Sequence, residues 1–253
     1  MASGQCYLSR LGILLLLMVI HPSTFGWAGG FQVYPIRVYL NASESSTLMT
    51  VKNDSAERLR LQVSVMAWDQ NKQGEMILNP TDDIIFYPTL LTVNPGDQRN
   101  LRVGSHTKEV SREKSYRIFV EELPPTDKLQ SSGVRFLTKV SIPIFLQPRK
   151  LETKGVIDQL SLHKGELSFD IKNDGNVHIQ PREIRVKGTS PDGGVQLERK
   201  IPGWYVLSGG LREYRIEVPK PDCLKIKDLK VEFEINEKPV NESYSVAPDA
   251  CGR

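Results

Sequence analysis

The chain has 253 residues, 39% of them hydrophobic and 25% charged, a balance that suits a soluble globular protein and excludes wholesale disorder. A formal net charge of +3, with no run of five like charges, gives no ground for a nucleic-acid-binding tail. At roughly 100–200 residues per domain, the length accommodates one or two domains.

The chain opens with an export signal. Arg10 precedes the apolar stretch Leu11–Ile20, and Gly26-Trp27-Ala28 places small residues at the −3 and −1 positions of a cleavage site. The stretch is shorter than the ~20 apolar residues a bilayer span requires, and no later segment is apolar enough, so no stable membrane insertion is expected. A mature chain starting at Gly29 loses Cys6. Cys223 and Cys251 then remain in an oxidising compartment, where a disulfide is the simplest outcome, and closing that loop would add roughly 3 kcal/mol. A metal pair is the rival reading, but neither a histidine nor a third cysteine sits at ligand spacing. His21, His106, His163 and His178 are scattered and read as surface or core residues.

Beyond the signal the apolar pattern has a period close to two. Phe31 and Val33 alternate with polar neighbours, Arg37–Leu40 follows, and Ser46–Val51 is a strand ended by Lys52-Asn53-Asp54-Ser55. Leu59, Leu61, Val63 and Val65 alternate with Arg60, Gln62 and Ser64 and lead to Trp68. Turn signals stand at Asn94-Pro95-Gly96-Asp97, Leu123-Pro124-Pro125, Asn173-Asp174-Gly175-Asn176 and Pro191-Asp192-Gly193-Gly194. Outside the signal no long helical apolar pattern occurs, so the fold class is all-β, built of sandwiches. A break at Gln147-Pro148-Arg149-Lys150 divides the chain into a signal peptide (1–28), an N-terminal sandwich (29–148) and a C-terminal sandwich (149–253). A short echo links the halves: Val51-Lys52-Asn53-Asp54 and Ile171-Lys172-Asn173-Asp174 both end a strand.

Catalytic motifs are missing. The sequence holds no Gly-Xaa-Ser-Xaa-Gly, no His-Glu-Xaa-Xaa-His and no phosphate-binding glycine loop, and the neighbours Asp82-Asp83 and Glu121-Glu122 would point to opposite faces of a strand. An enzyme is therefore not expected, and no cofactor or metal is implied. One strand stands out. Val134, Phe136, Thr138, Val140, Ile142 and Ile144 occupy alternate positions over roughly 12 residues, against a usual five or six. Pro143 cannot donate to a ladder, which places the strand at a sheet edge or bulge. Such an edge is either covered or built to pair with another chain.

Tyr34-Pro35-Ile36-Arg37-Val38, Val51-Lys52-Asn53, Trp68, Pro88, Val93-Asn94-Pro95-Gly96, Leu101-Arg102-Val103, Tyr116–Pro124 and Ser141–Pro148 together resemble the periplasmic pilus chaperones of chaperone–usher systems. The likeness runs through nearly all of residues 31–148, whereas residues 149–253 match only in length, β character and position. The resemblance implies two immunoglobulin-like domains in a boomerang arrangement, in the periplasm. Its partners would be pilus subunits that lack their last strand and an outer-membrane usher that later takes them over. The strand at 133–146 would fill the subunit groove, with Val134, Phe136, Thr138, Val140, Ile142 and Ile144 facing it and Val140 and Ile142 foremost. Self-association of the free chain through that edge stays open. The family holds the subunit's terminal carboxylate with two basic residues. One matches Arg37, but Pro143 stands at the second position, which resembles the archaic branch. Arg117 on the neighbouring strand is then the leading anchor, with Lys139 as helper. The alternative is an exported structural or adhesive sandwich component of a surface fibre.

Overall fold

The computed structural model describes residues 30–107, 109–125, 136–247 and 249–252. The export segment 1–28 with Cys6, and Val134 of the alternating strand, lie outside the described residues. The first sandwich contains β1 (Phe31–Tyr34), β2 (Val38–Leu40), β3 (Ser46–Asn53), β4 (Leu59–Gln70), β5 (Met76–Pro80), β6 (Ile84–Tyr87), β7 (Leu90–Val93), β8 (Gln98–Ser105), β9 (Lys114–Glu122) and β10 (Lys139–Leu146). One sheet runs β1-β3-β8-β6 and the other β2-β10-β9-β4-β5, with β7 also on β4. The period-two pattern sets the layers: Leu59, Leu61, Val63 and Val65 of β4 all point inward against Met49, Val51, Leu101 and Val103 of the facing sheet.

The chain changes sheet between its first two strands. β1 pairs antiparallel with β3, and β2 pairs in parallel with Ile144–Leu146 of β10. Pro35 has no N–H, so the first pairing ends at Tyr34 and the chain crosses the open seam of the sandwich.

The second sandwich contains β11 (Gly155–His163), β12 (Glu166–Asn173), β13 (Glu183–Thr189), β14 (Val195–Pro202), β15 (Leu211–Glu217), β16 (Asp228–Ile235) and β17 (Lys238–Ser245). Its sheets are β11-β12-β15 and β14-β13-β16-β17, packed over Leu167, Phe169, Ile171, Val186 and Val231. The architecture is thus all-β, two immunoglobulin-like sandwiches joined by residues 147–154, which carry no strand. Cys223 and Cys251 are joined by a disulfide with Cα atoms 5.7 Å apart. It ties the short helix α1 (Lys220–Cys223) to the segment after β17, within the second core.

The Lys-Asn-Asp echo has a physical cause. Asn53 and Asn173 are both fully buried at the ends of β3 and β12. Asn53 Nδ2 donates to the carbonyls of Glu57 and Val93 at 2.7 and 2.9 Å, and Asn173 Nδ2 to those of Val177 and Val206 at 2.8 and 2.9 Å. Each amide closes the same corner of its sandwich, a place where unpaired carbonyls would otherwise be buried.

β10 departs from expectation. It is eight residues long rather than about twelve, because β9 ends at Glu122 and the following Pro124 and Pro125 supply no N–H. The last tie is Glu122 N–H to the Thr138 carbonyl at 2.9 Å. Its side chains differ in burial along the strand. Ile142 and Ile144 are 3% and 0% exposed in the core of their own sandwich, and Val140 is half-buried against it. Phe136, of the same parity, is 86% exposed because the sandwich ends beneath it.

Candidate functional site

β10 pairs with β9 along its whole length, from Lys139 opposite Glu121 to Leu146 opposite Lys114. On its other side β2 covers only Ile144–Leu146. Among the described residues, 139–143 therefore have no strand partner on that edge, and upstream of it the side chains of Phe136 and Leu137 are exposed. Inward positions Leu146, Ile144, Ile142 and Val140 form a row that continues as Thr138 and Phe136 beyond the end of the sandwich. A strand added at this edge would complete both the ladder and that row.

The opposite face of β10 meets the second sandwich. Phe145, fully buried, joins Trp68 of β4 with Tyr205 and Leu207 from the segment after β14. Tyr205 stands edge-on to Trp68 with centroids 5.4 Å apart, and the His178 ring stacks on Phe145 at 3.8 Å. Polar ties flank this cluster: Leu207 N–H to Gln70 Oε1 at 3.2 Å, Glu213 N–H to the Lys72 carbonyl at 2.7 Å, and Glu113 N–H to the Asn176 carbonyl at 2.8 Å.

Arg117 lies at the heart of this face. It sits on β9 opposite Pro143 and is 6% exposed. Its guanidinium lies 3.9 Å over the Trp68 ring and 6.0 Å from the centre of Tyr205. Nε and Nη2 are buried with no hydrogen-bond partner among the described residues. Desolvation lowers its pKa, an effect only partly offset by Tyr205. An arginine keeps its proton regardless, so the consequence is a cation whose hydration has been replaced mainly by an aromatic face.

Arg37, in the bend before β2, lies 5.7 Å from the centre of the Tyr205 ring and donates from Nη2 to Gln180 Oε1 at 2.9 Å. Val38 opposes Ile144, so Arg37 and Arg117 flank Pro143 on either side of β10. The proline contributes no long side chain between them. Arg37, Tyr39, His178 and Gln180 also border a cleft of roughly 720 Å³ whose remaining lining comes mostly from the second sandwich, Glu183, Glu232 and Glu234 included.

Lys139 is not part of this cluster. It lies four residues upstream of Pro143, about 13 Å along the strand at ~3.3 Å per residue. Its Nζ pairs with Glu121 at 2.9 Å and lies 4.9 Å over Phe119. Two residues of the site carried no usable sequence signal. Glu113 precedes β9 with its side chain 0% exposed, and His178 stands 65 residues later in the other sandwich. Nothing in the local pattern joins them. Among the described residues no group of three or more metal-ligating side chains occurs, and no helix is long and apolar enough to cross a membrane.

Residues 30–152 match the family model described as pili and flagellar-assembly chaperone, PapD N-terminal domain. No curated protein matches the whole chain by sequence. Among solved structures the chain is similar to one described as the CsuC–CsuE chaperone–tip adhesion subunit pre-assembly complex from archaic chaperone-usher Csu pili of Acinetobacter baumannii. That match has 19% identity, covers 84% of this chain and 97% of that one, and has a TM-score of 0.59. The CupB2 chaperone of Pseudomonas aeruginosa matches at 16% identity over 85% and 100% of the two chains, with a TM-score of 0.53. The complex of the Salmonella enterica SafA pilin with the SafB chaperone matches at 14% over 86% and 96%, with a TM-score of 0.53. At these identities the likeness concerns the fold.

Proposed function

We propose that this chain, whose N-terminal domain belongs to the pili and flagellar-assembly chaperone family, is a periplasmic chaperone that caps pilus subunits by donor-strand complementation and passes them to an outer-membrane usher. The observation that carries the reading is the edge at residues 139–143 of β10, unpaired among the described residues, which runs from the exposed Phe136 to a buried arginine with Nε and Nη2 lacking hydrogen-bond partners among the described residues. The overhang revises which side chains enter the subunit. Phe136 is offered outward; Thr138 and Val140, both half-buried, straddle the boundary; Ile142 and Ile144 pack in the core of their own sandwich. Each large apolar side chain that becomes buried contributes roughly 1.5–3 kcal/mol. The added ladder bonds fix the register, and no cofactor enters.

At the other end of the edge, Arg117 with Arg37 would receive the subunit's terminal carboxylate. Lys139, held by Glu121, stands outside this anchor. The Ser-Xaa-Pro-Xaa-Phe segment at 141–145 and Tyr116-Arg117 support a place in the archaic branch, which they resemble. Co-expression in a periplasm with candidate pilus subunits tests the reading. Subunits should accumulate only beside the chaperone and co-purify with it at one to one. Subunits that survive equally well without it would refute the assignment.

A further inference from the structure

We propose that His178, supplied by the second sandwich, is a third group of the carboxylate anchor, and that the buried Glu113 positions it. The inference rests on the reading of the Arg37–Arg117 gap as a carboxylate site and extends that site into the second domain. The geometry follows from rows of the β2-β10-β9 sheet. Tyr39, Phe145 and Ser115 lie in one row, since Phe145 opposes both Tyr39 and Ser115. One step toward the open end of β10 lies the row of Pro143 and Arg117, with Arg37 beside it. One step the other way lie Gln147 and Glu113, each just past the end of its strand.

The His178 ring lies nearly flat on Phe145, with an interplanar angle of 18°. Its Nδ1 contacts Glu113 Oε1 at 2.7 Å, and its backbone N–H donates to the same oxygen at 2.9 Å. Gln147 Nε2 donates to Glu113 Oε2 at 3.2 Å. The carboxylate accepts three bonds and is fully withdrawn from solvent. With Nδ1 held by Glu113, Nε2 points away from that carboxylate. Nε2 has no hydrogen-bond partner among the described residues, and the ring borders the cleft beside Arg37, Tyr39 and Gln180. Tyr205, whose ring centre is 5.4 Å from that of His178, is the same residue that both arginines approach.

A carboxylate seated between the arginines would therefore accept Nε2–H while Nδ1–H stays on Glu113. The imidazole then carries both protons, and the two carboxylates on either side of it balance that charge. Glu113 does not touch the ligand. It fixes the ring's orientation, as a second carboxylate commonly does for a histidine that must present one nitrogen.

The test measures binding of a purified pilus subunit by calorimetry, once with its native C-terminal carboxylate and once as the C-terminal amide. His178→Asn retains a donor toward Glu113 and removes Nε2, whereas His178→Gln retains a donor at the Nε2 position. We expect His178→Asn to bind the carboxylate form about tenfold or more weakly, the usual loss for a charge-assisted hydrogen bond, and the amide form as well as the unsubstituted chain does. His178→Gln should recover most of the loss. Equal weakening toward both forms would assign His178 to holding the domains together, and no weakening would remove it from the site; either overturns the inference. If Arg117→Met separates the two forms while His178→Asn does not, only the histidine's role falls. If neither separates them, the carboxylate reading itself falls. Should His178→Asn fail to fold, the ¹⁵N shift of His178 Nε2 in the unsubstituted chain decides: it should move with the carboxylate form alone, and an unmoved signal overturns the proposal.

Discussion

Replacing Arg117 by methionine separates a structural arginine from a functional one, because the two roles predict opposite results in the free protein. Two of its guanidinium nitrogens are buried without an acceptor. An unsatisfied buried donor costs about 1–3 kcal/mol, more when charged. Stacking 3.9 Å over Trp68 returns up to about 2 kcal/mol for a desolvated cation–π contact. The balance is zero or unfavourable, so Arg117→Met, which fills the space with a flexible apolar chain, should leave the free chaperone as stable as before or raise its stability by up to about 4 kcal/mol. Subunit binding should move the other way. Loss of a charge-assisted partner to a desolvated carboxylate costs about 2–5 kcal/mol, or roughly 30- to 3,000-fold in Kd. Urea unfolding of the free chaperone and calorimetric titration with a subunit read the two quantities independently. A variant destabilised by more than about 2 kcal/mol that still binds normally would place Arg117 among the residues that merely hold the domains, and would refute the reasoning.

Phe136→Ala should leave the free chaperone's urea midpoint unchanged, since an exposed substitution is usually within ±0.5 kcal/mol, yet lower subunit capture in co-expression. Ile142→Ala should do the reverse at the level of the free protein, costing about 2–5 kcal/mol for an emptied core position; a mild Ile142 variant would reopen its assignment to the core. Reducing the Cys223–Cys251 bond, whose partners are 28 residues apart, should lower the denaturation midpoint by the equivalent of roughly 3 kcal/mol, with amide exchange rising in the second sandwich and not in the first. Asp83 accepts the Tyr116 hydroxyl at 2.7 Å and Lys114 Nζ at 3.0 Å, and these bonds, the tyrosine's first, hold its carboxyl below the ordinary aspartate pKa. A lowered folded pKa contributes stability above the ordinary value of ~3.9 and loses it as the pH falls through the folded one. Asp83→Asn should therefore lower Tm at neutral pH, with the gap to the unsubstituted protein closing as the pH falls below the ordinary aspartate range; a gap that stays constant with pH would show that ionisation of Asp83 is not what stabilises the contact.

What could be read in the sequence was local, and what escaped it was not. Alternation along β4 assigned Leu59, Leu61, Val63 and Val65 to one face because period two is a property of a single strand. The same rule assigned Phe136, Ile142 and Ile144 to one face as well. It could not place the end of the sandwich, which falls where β9 gives way to Leu123-Pro124-Pro125. Residues of one parity thus have two fates, decided by whether a second sheet lies beneath them. Arg117 was visible as a basic residue in a family-like segment, but its burial and its two unpartnered nitrogens depend on Trp68 from another strand and Tyr205 from the other domain. Glu113 and His178 form a contact across 65 residues that no spacing rule addresses.

The same distinction explains how one strand can be both structural and exchangeable. The inner half of β10 is bound by two neighbours and a filled core, and yields nothing to a partner. The outer half keeps β9 but has an unpaired edge, and its side chains run out past the core. A subunit that adds a strand there gains ladder bonds and an apolar row without any native contact of the chaperone being broken, so release leaves the chaperone folded. In the proposed anchor, the buried arginine at the boundary between the halves would fix where the added chain must stop. Register along a uniform edge is otherwise weakly specified, and a one-residue slip would turn every inserted side chain to the wrong face. An anchor that accepts only a chain terminus converts the edge into a site with a single register.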